Sequence, residues 1–222
     1  GWVPRSEIAA LLWPEHSDKL AYTNLRKALF RLQDVGWAQG LRTQGNAVCF
    51  EIHSDVAAFD LALRDVRRAD ALALRRGELL EGYDDAGNEA WTEWLRSQRE
   101  RWRALWREVA IEHLADGADA GAAVEISAQL LALDAFDEVA LRAHVEALRR
   151  HGQTARAQGV WRDFVAQLQR ELGVEPGAEL RAWHDASGRN AESTATPLRG
   201  AGPRAAAPAA DGFVGRSAEL HQ

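Results

Sequence analysis

The sequence predicts a mainly α-helical protein, on three observations. Apolar residues recur at three- and four-residue steps in one segment after another, from Ser6 to about Leu172. One stretch alone, Leu41 to Ile52, alternates as short strands do. Each helical segment closes on turn chemistry: Pro14, Gly36 with Gly40, Gly77 to Gly87, Gly117, Asp134, His151-Gly152 and Gly173.

In chain order, Pro4 suits the first turn of a short helix from Arg5 to Trp13, which Pro14 stops. Ser17 is placed to cap a second helix running to about Val35. That helix is amphipathic: Leu20, Ala21, Leu25, Ala28, Leu29 and Leu32 form a core-facing stripe. The other side carries Lys19, Thr23, Arg26, Lys27 and Phe30, with Arg31 at its margin. Leu41 to Ile52 reads as a hairpin turning at Gly45-Asn46. Helix, sharp turn, helix and hairpin in that order make a winged helix-turn-helix.

From Asp55 onward the pattern is helical. Val56 to about Arg75 reads as one helix, and Gly77 to Gly87 as a loop. A long helix from Glu89 to about Leu114 places Trp91, Leu95, Gln98, Trp102, Leu105 and Val109 on a stripe that Trp94 and Trp106 widen. Helices over about 118–133, 137–151 and 154–172 follow, then a short one over about 178–184. Helix pairs of this length joined by short turns are the unit of tetratricopeptide-like solenoids. Ser187 to Ala210, rich in Ala, Gly, Pro, Ser and Thr, cannot offset its ordering entropy by burial and reads as a flexible linker. The expected organisation is a winged helix-turn-helix over 1–55, a tetratricopeptide-like helical domain over 56–185, a linker over 186–210, and the start of a further domain over 211–222.

Charge divides the same way. The 222 residues carry a net charge of -6. Residues 1–55 balance six basic against six acidic side chains, whereas 56–185 hold 17 basic and 24 acidic ones. Between Lys19 and Arg42, five basic residues face one acidic residue, Asp34. This local reversal of sign points to an anionic partner, DNA first. Arg26, Lys27 and Arg31 can donate to phosphates or to guanine, Thr23 can do either, and Phe30 can meet a thymine methyl in the major groove. Arg42 and Asn46 sit where a wing reaches the flanking backbone. Lys19, Thr23, Arg26, Lys27, Phe30, Arg31, Arg42 and Asn46 are therefore the candidate DNA contacts.

Other chemistry finds little support. No run of eighteen apolar residues spans a membrane, no signal-peptide pattern opens the chain, and a lone Cys49 fits a reducing cytoplasm. The seven histidines show no metal-ligand spacing. No G-x-S-x-G occurs, and both lysines lie within the first 27 residues, away from any phosphate-binding loop. Most of the tryptophans at helical spacing read as core, Cys49 as a small buried hydrophobe, and the pairs Asp84-Asp85 and Asp137-Glu138 as acidic residues flanking helix starts. No enzyme, metal or cofactor is expected within these residues.

The motifs Arg5-Ser-Glu-Ile-Ala-Ala-Leu-Leu-Trp-Pro14 and Asn24-Leu-Arg-Lys-Ala-Leu-Phe-Arg-Leu32 resemble the C-terminal two-thirds of an OmpR-like winged helix, as found in SARP-type bacterial transcriptional activators. Asp55-Val-Ala-Ala-Phe59, Trp94 with Arg99, Leu133-Asp134 with Glu138, Gly152, and Glu171-Leu-Gly-Val-Glu-Pro176 resemble the bacterial transcriptional activation domain that follows it there. The resemblance implies binding to double-stranded promoter DNA, often at direct repeats, with the helical domain contacting RNA polymerase, a neighbouring protomer in self-association on repeated sites, or a downstream ATPase. Phe213-Val-Gly-Arg216 with Glu219-Leu220 resembles the opening of a STAND or AAA-type ATPase domain, which implies ATP as a ligand of a longer parent protein. The sequence contains no Met and lacks the small sheet and first helix of that winged helix, so the chain is expected to be a piece of something longer. Trp2, Val3, Leu29 and Leu32 are then expected to be exposed. Phe30 stands where the family often has a small polar residue, and Gln33 where it often has an Arg. The alternative function is a protein-interaction module of a signalling ATPase whose winged helix no longer binds DNA.

Overall fold

A computed structural model describes residues 1–84 and 87–194. The chain is mainly helical, with a winged-helix start and a tetratricopeptide-like helical continuation, as the periodicity predicts. It divides into two compact units, Gly1–Gly177 and one beginning at Ala178.

The first unit opens with β1 (Val3–Pro4), α1 (Arg5–Leu12) and α2 (Asp18–Leu32). A 3-10 turn, Gly36–Ala38, then leads into β2 (Leu41–Gln44) and β3 (Ala47–Phe50). The expected hairpin forms, with Arg42 opposite Cys49 and Gln44 opposite Ala47. Gly45 turns it at φ +54°, where a side chain would strain the backbone. The sheet has a third strand that the sequence did not signal: β1 pairs antiparallel with β3, Val3 opposite Val48, giving the order β1-β3-β2. A two-residue strand is too short to show alternation, and Pro4 is tolerated because β1 is an edge. Gly40 is required by close approach, since a Cβ there would meet the Glu51 carbonyl oxygen at 2.0 Å.

Ala9, Ala21 and Leu25 form the core of this part, with Ile8, Trp13 and Leu29 packed against it. Two details of α2 differ from expectation. Leu20 is 47% exposed rather than part of the buried stripe, because it stands about 100° round the helix from Ala21 and falls outside the arc that α1 covers. Ser17 occupies the N-cap position, but its side chain makes no capping bond; its carbonyl accepts from Leu20 and Ala21 instead. Trp2 and Val3 are exposed as expected, whereas Leu29 and Leu32 are half-buried.

Then come α3 (Asp55–Arg64), α4 (Arg68–Ala73), α5 (Glu89–Ala115), α6 (Ala120–Leu133), α7 (Glu138–Arg150) and α8 (Thr154–Leu172). The single helix expected over 56–75 is two. Val66, at φ +57°, takes the left-handed position after α3. Arg67 N–H bonds to the Ala62 carbonyl and Val66 N–H to that of Leu63, the two bonds of a Schellman ending. That position favours glycine, and with neither Gly nor Pro there the break is invisible to pattern reading. Val66 is 69% exposed, so little packing holds it. Val66→Gly should therefore stabilise the protein by about 1 kcal/mol, strain relief outweighing the added chain entropy. Thermal unfolding monitored by circular dichroism would show a higher midpoint.

The helical core gathers Phe59 and Ala62 of α3, Ala71 and Leu72 of α4, Trp106, Val109 and Ala110 of α5, Leu130 of α6 and Ala140 of α7. Arg68 fastens α4 to the end of α5 through Glu112, at 3.1 Å, and Asp116, at 3.0 Å. Between α6 and α7 a buried polar pair joins Ser127 Oγ to His144 Nδ1 at 2.9 Å. Burial, and secondarily the charge of Arg156, hold the His144 imidazole below its ordinary value, so it packs neutral. In the second unit, α9 spans Ala178–Thr194, ten residues past its expected end. No proline interrupts the chain there before Pro197. Most of the expected linker and all of 211–222 lie outside the described residues, as does Asp85.

Candidate nucleic-acid interface

The α1–α2 packing decides which side of α2 is left free. With Ala21 and Leu25 turned to α1, the residues at alternating four- and three-residue steps on the far side are Lys19, Thr23, Arg26 and Phe30. These make one ridge along the helix, and Lys27 and Arg31, one turn apart, flank it. Lys19, Arg26, Lys27, Phe30 and Arg31 are all exposed, Phe30 at 68%. Thr23 is half-buried and its hydroxyl donates to the Lys19 carbonyl at 2.8 Å. That bond uses its proton, so towards a ligand Thr23 is left as an acceptor.

The two wing residues stand apart from the ridge. Arg42 lies on β2 and pairs with Glu51 at 2.9 Å, both side chains more than half exposed. A phosphate would have to compete with that carboxylate, though an exposed pair of this kind is weak, about 0–1 kcal/mol. Asn46 sits exposed at the hairpin turn, its carbonyl accepting from the Arg5 amide at 2.8 Å. Beside the hairpin, Trp37 and Phe50 meet at 6.1 Å between ring centroids and are both exposed.

One side chain ties this block to the helices that follow. Asn88 Oδ1 accepts from the Trp91 amide at 2.9 Å and caps α5. Its Nδ2 donates to the Leu11 carbonyl at 2.9 Å, at the end of α1. Further on, Arg99 clamps the loop before α5 through the carbonyls of Leu79 and Leu80, each at 2.9 Å, and Asp84 at 2.8 Å. Asp137 caps α7 by accepting from Val139 and Ala140, and it receives Arg107 Nε from α5.

Residues 48–186 match the bacterial transcriptional activator domain. The chain belongs to this family. No curated protein matches the chain. The bacterial transcriptional activator domain begins within β3, so the last strand of the wing and the helices are matched together. Of the residues that carry the sequence resemblance, Phe59 is core, Arg99 is the loop clamp, and Asp134 orders the α6–α7 turn by accepting from the Phe136 amide at 2.8 Å. Of the tryptophans at helical spacing in the domain, Trp106 is buried and Trp102 half-buried; Trp91 is half-buried and stacks on the exposed Trp94 at 5.1 Å. Cys49 is buried.

Among the described residues, no group of three His, Cys, Asp or Glu could hold a metal ion, and no helix is long and apolar enough to cross a membrane. Asn88 went unremarked in the sequence, although an Asn directly before a helix is a capping signal. Its second bond, to α1, carries no local signal at all.

Proposed function

We propose that the protein is a DNA-binding transcriptional activator in which the exposed ridge of α2 enters the major groove of promoter DNA. The observation that carries this reading is the ridge itself: Lys19, Arg26, Lys27 and Arg31 present positive charge around Phe30, on a helix whose other side is fixed to α1. The resemblance to an OmpR-like winged helix supports the same reading. So does the family, whose description is that of a transcriptional activator. Arg42 and Asn46 then meet the flanking backbone. The acidic helical domain, ill-suited to DNA, contacts RNA polymerase or a neighbouring protomer on repeated sites.

The test is a duplex enriched from a random pool against the full chain, titrated by fluorescence anisotropy at several salt concentrations. Arg26→Ala with Lys27→Ala should weaken binding about a hundredfold and flatten the salt dependence by about two units of slope. Failure to enrich any duplex, or affinity unchanged in the double variant, would sink the proposal.

A second reading is favoured by Phe30, a large exposed ring at the centre of the ridge, and by the pairing of Arg42 with Glu51. In it the winged helix is a protein-binding surface within a signalling ATPase, with ATP held by a domain following the resemblance at 213–220. That reading is left standing if the double variant retains its affinity for duplex and Phe30→Ala alone abolishes capture of a protein partner.

A further inference from the structure

A cleft of about 320 Å³ opens between the start of α3, the segment 74–80 and the face of α5. One ring, the half-buried Trp102, is open to it; Phe59, which meets Trp102 edge to face at 5.4 Å between centroids, is 4% exposed and Trp106 2%. Its rim is cationic: Arg75, Arg76, Arg99 and Arg103 line it against the two carboxylates of Asp55 and Glu78. This reverses the sign of the surrounding acidic domain, as the α2 ridge does elsewhere.

The arginines already converge on a carboxylate. Glu78 is held by Arg75 at 3.1 Å and by Arg103 at 2.9 Å. Burial raises its carboxyl, yet the hydrogen bond and charge of Arg103, with those of Arg75, outweigh this and hold it below the usual range. Arg99 is committed to the loop carbonyls, whereas Arg76 stands exposed at the rim.

We infer that this cleft binds a small organic anion with a flat aromatic body, its ring against Trp102 and its carboxylate or sulfonate at Arg76. The volume lies at the lower end of ligand pockets, about 300–1,000 Å³, which suits one or two fused rings. The Trp102 ring offers edge and face contacts to another ring. A guanidinium fork holds a carboxylate or sulfonate by paired hydrogen bonds to two of its oxygens. The site abuts the joint between wing and helices, since Ser54 and Asp55 of its lining come four and five residues after the end of β3. It is independent of the DNA reading.

The probe is 1-anilinonaphthalene-8-sulfonate, which has this shape and charge, titrated into the full chain by calorimetry and by energy transfer from tryptophan. One saturable site is expected. Arg76→Glu should weaken it about tenfold and Arg76→Gln about threefold. The uncharged N-phenyl-1-naphthylamine should bind about tenfold more weakly than the sulfonate. The same charge reversal at exposed Arg150 of α7 should leave binding unchanged. The proposal is overturned by non-saturable binding, by equal affinity for the two dyes, by affinity unchanged in both Arg76 variants, or by an equal loss in Arg150→Glu.

Discussion

Trp106→Ala should lower the stability of the helical domain by about 4 kcal/mol, the largest effect of any single substitution considered. The side chain is 2% exposed and lies where α3, α4 and α5 meet. Three contributions are lost together. The ring fills the core between Phe59, Leu72 and Val109; its Nε1 donates to the Leu72 carbonyl at 3.4 Å; and the Arg75 guanidinium lies 5.3 Å from the ring centroid. Trp106→Phe retains much of the volume and a π-face while giving up the donor, and should cost about half as much. Urea titrations of the two variants check both numbers. A loss under 2 kcal/mol in Trp106→Ala would mean that the core around α5 collapses onto the gap.

Asp137→Ala should cost about 2–3 kcal/mol. The Asp137 side chain is 7% exposed and serves two elements at once, capping α7 and receiving Arg107 from α5. Loss of the cap costs about 1 kcal/mol, and loss of the charge-assisted bond to Arg107 about 1.5 kcal/mol. Asp137→Asn keeps a capping acceptor and should recover the first of these. The pH dependence separates the two contributions. Burial raises the Asp137 carboxyl, but the Arg107 hydrogen bond, the Ala140 and Val139 amides and the Arg107 charge together hold it below its ordinary value of 3.8. A depressed carboxylate gives stability that is complete above the unfolded value and lost as pH falls through the folded one. The gap between wild type and Asp137→Asn should therefore be full at pH 6 and close below about pH 4. A gap that persisted in acid would show that the carboxylate charge is not what joins α5 to α7.

Periodicity made most of the helices legible, and the positions where it failed share a cause. The α5 stripe follows from apolar spacing, because a half-buried helix repeats its chemistry every turn, and the α8 boundaries follow from the turn residues Gly152 and Gly173 on either side. Val66 broke a helix without a breaker residue, since the bonds that stabilise the break come from backbone groups rather than from the side chain. Leu20 fits the buried stripe by spacing but lies outside, because burial depends on where α1 sits and not only on the wheel. β1 is set by its partner β3, at a distance no local window covers. Of the candidate interface, the α2 ridge was readable as a charge reversal on one face. The occupation of Arg42 by Glu51 and of the Thr23 hydroxyl by Lys19 was not, because both depend on rotamers.

The 27-residue α5 also sets a length. At 1.5 Å per residue it is a rod of about 40 Å, held near its start by the Asn88 bond to α1 and near its end by Arg68 of α4. A tilt of about 5° about one end of such a rod moves the other by about 3.5 Å, and the Asn88 amide is one point at which such a shift in the helical domain meets α1.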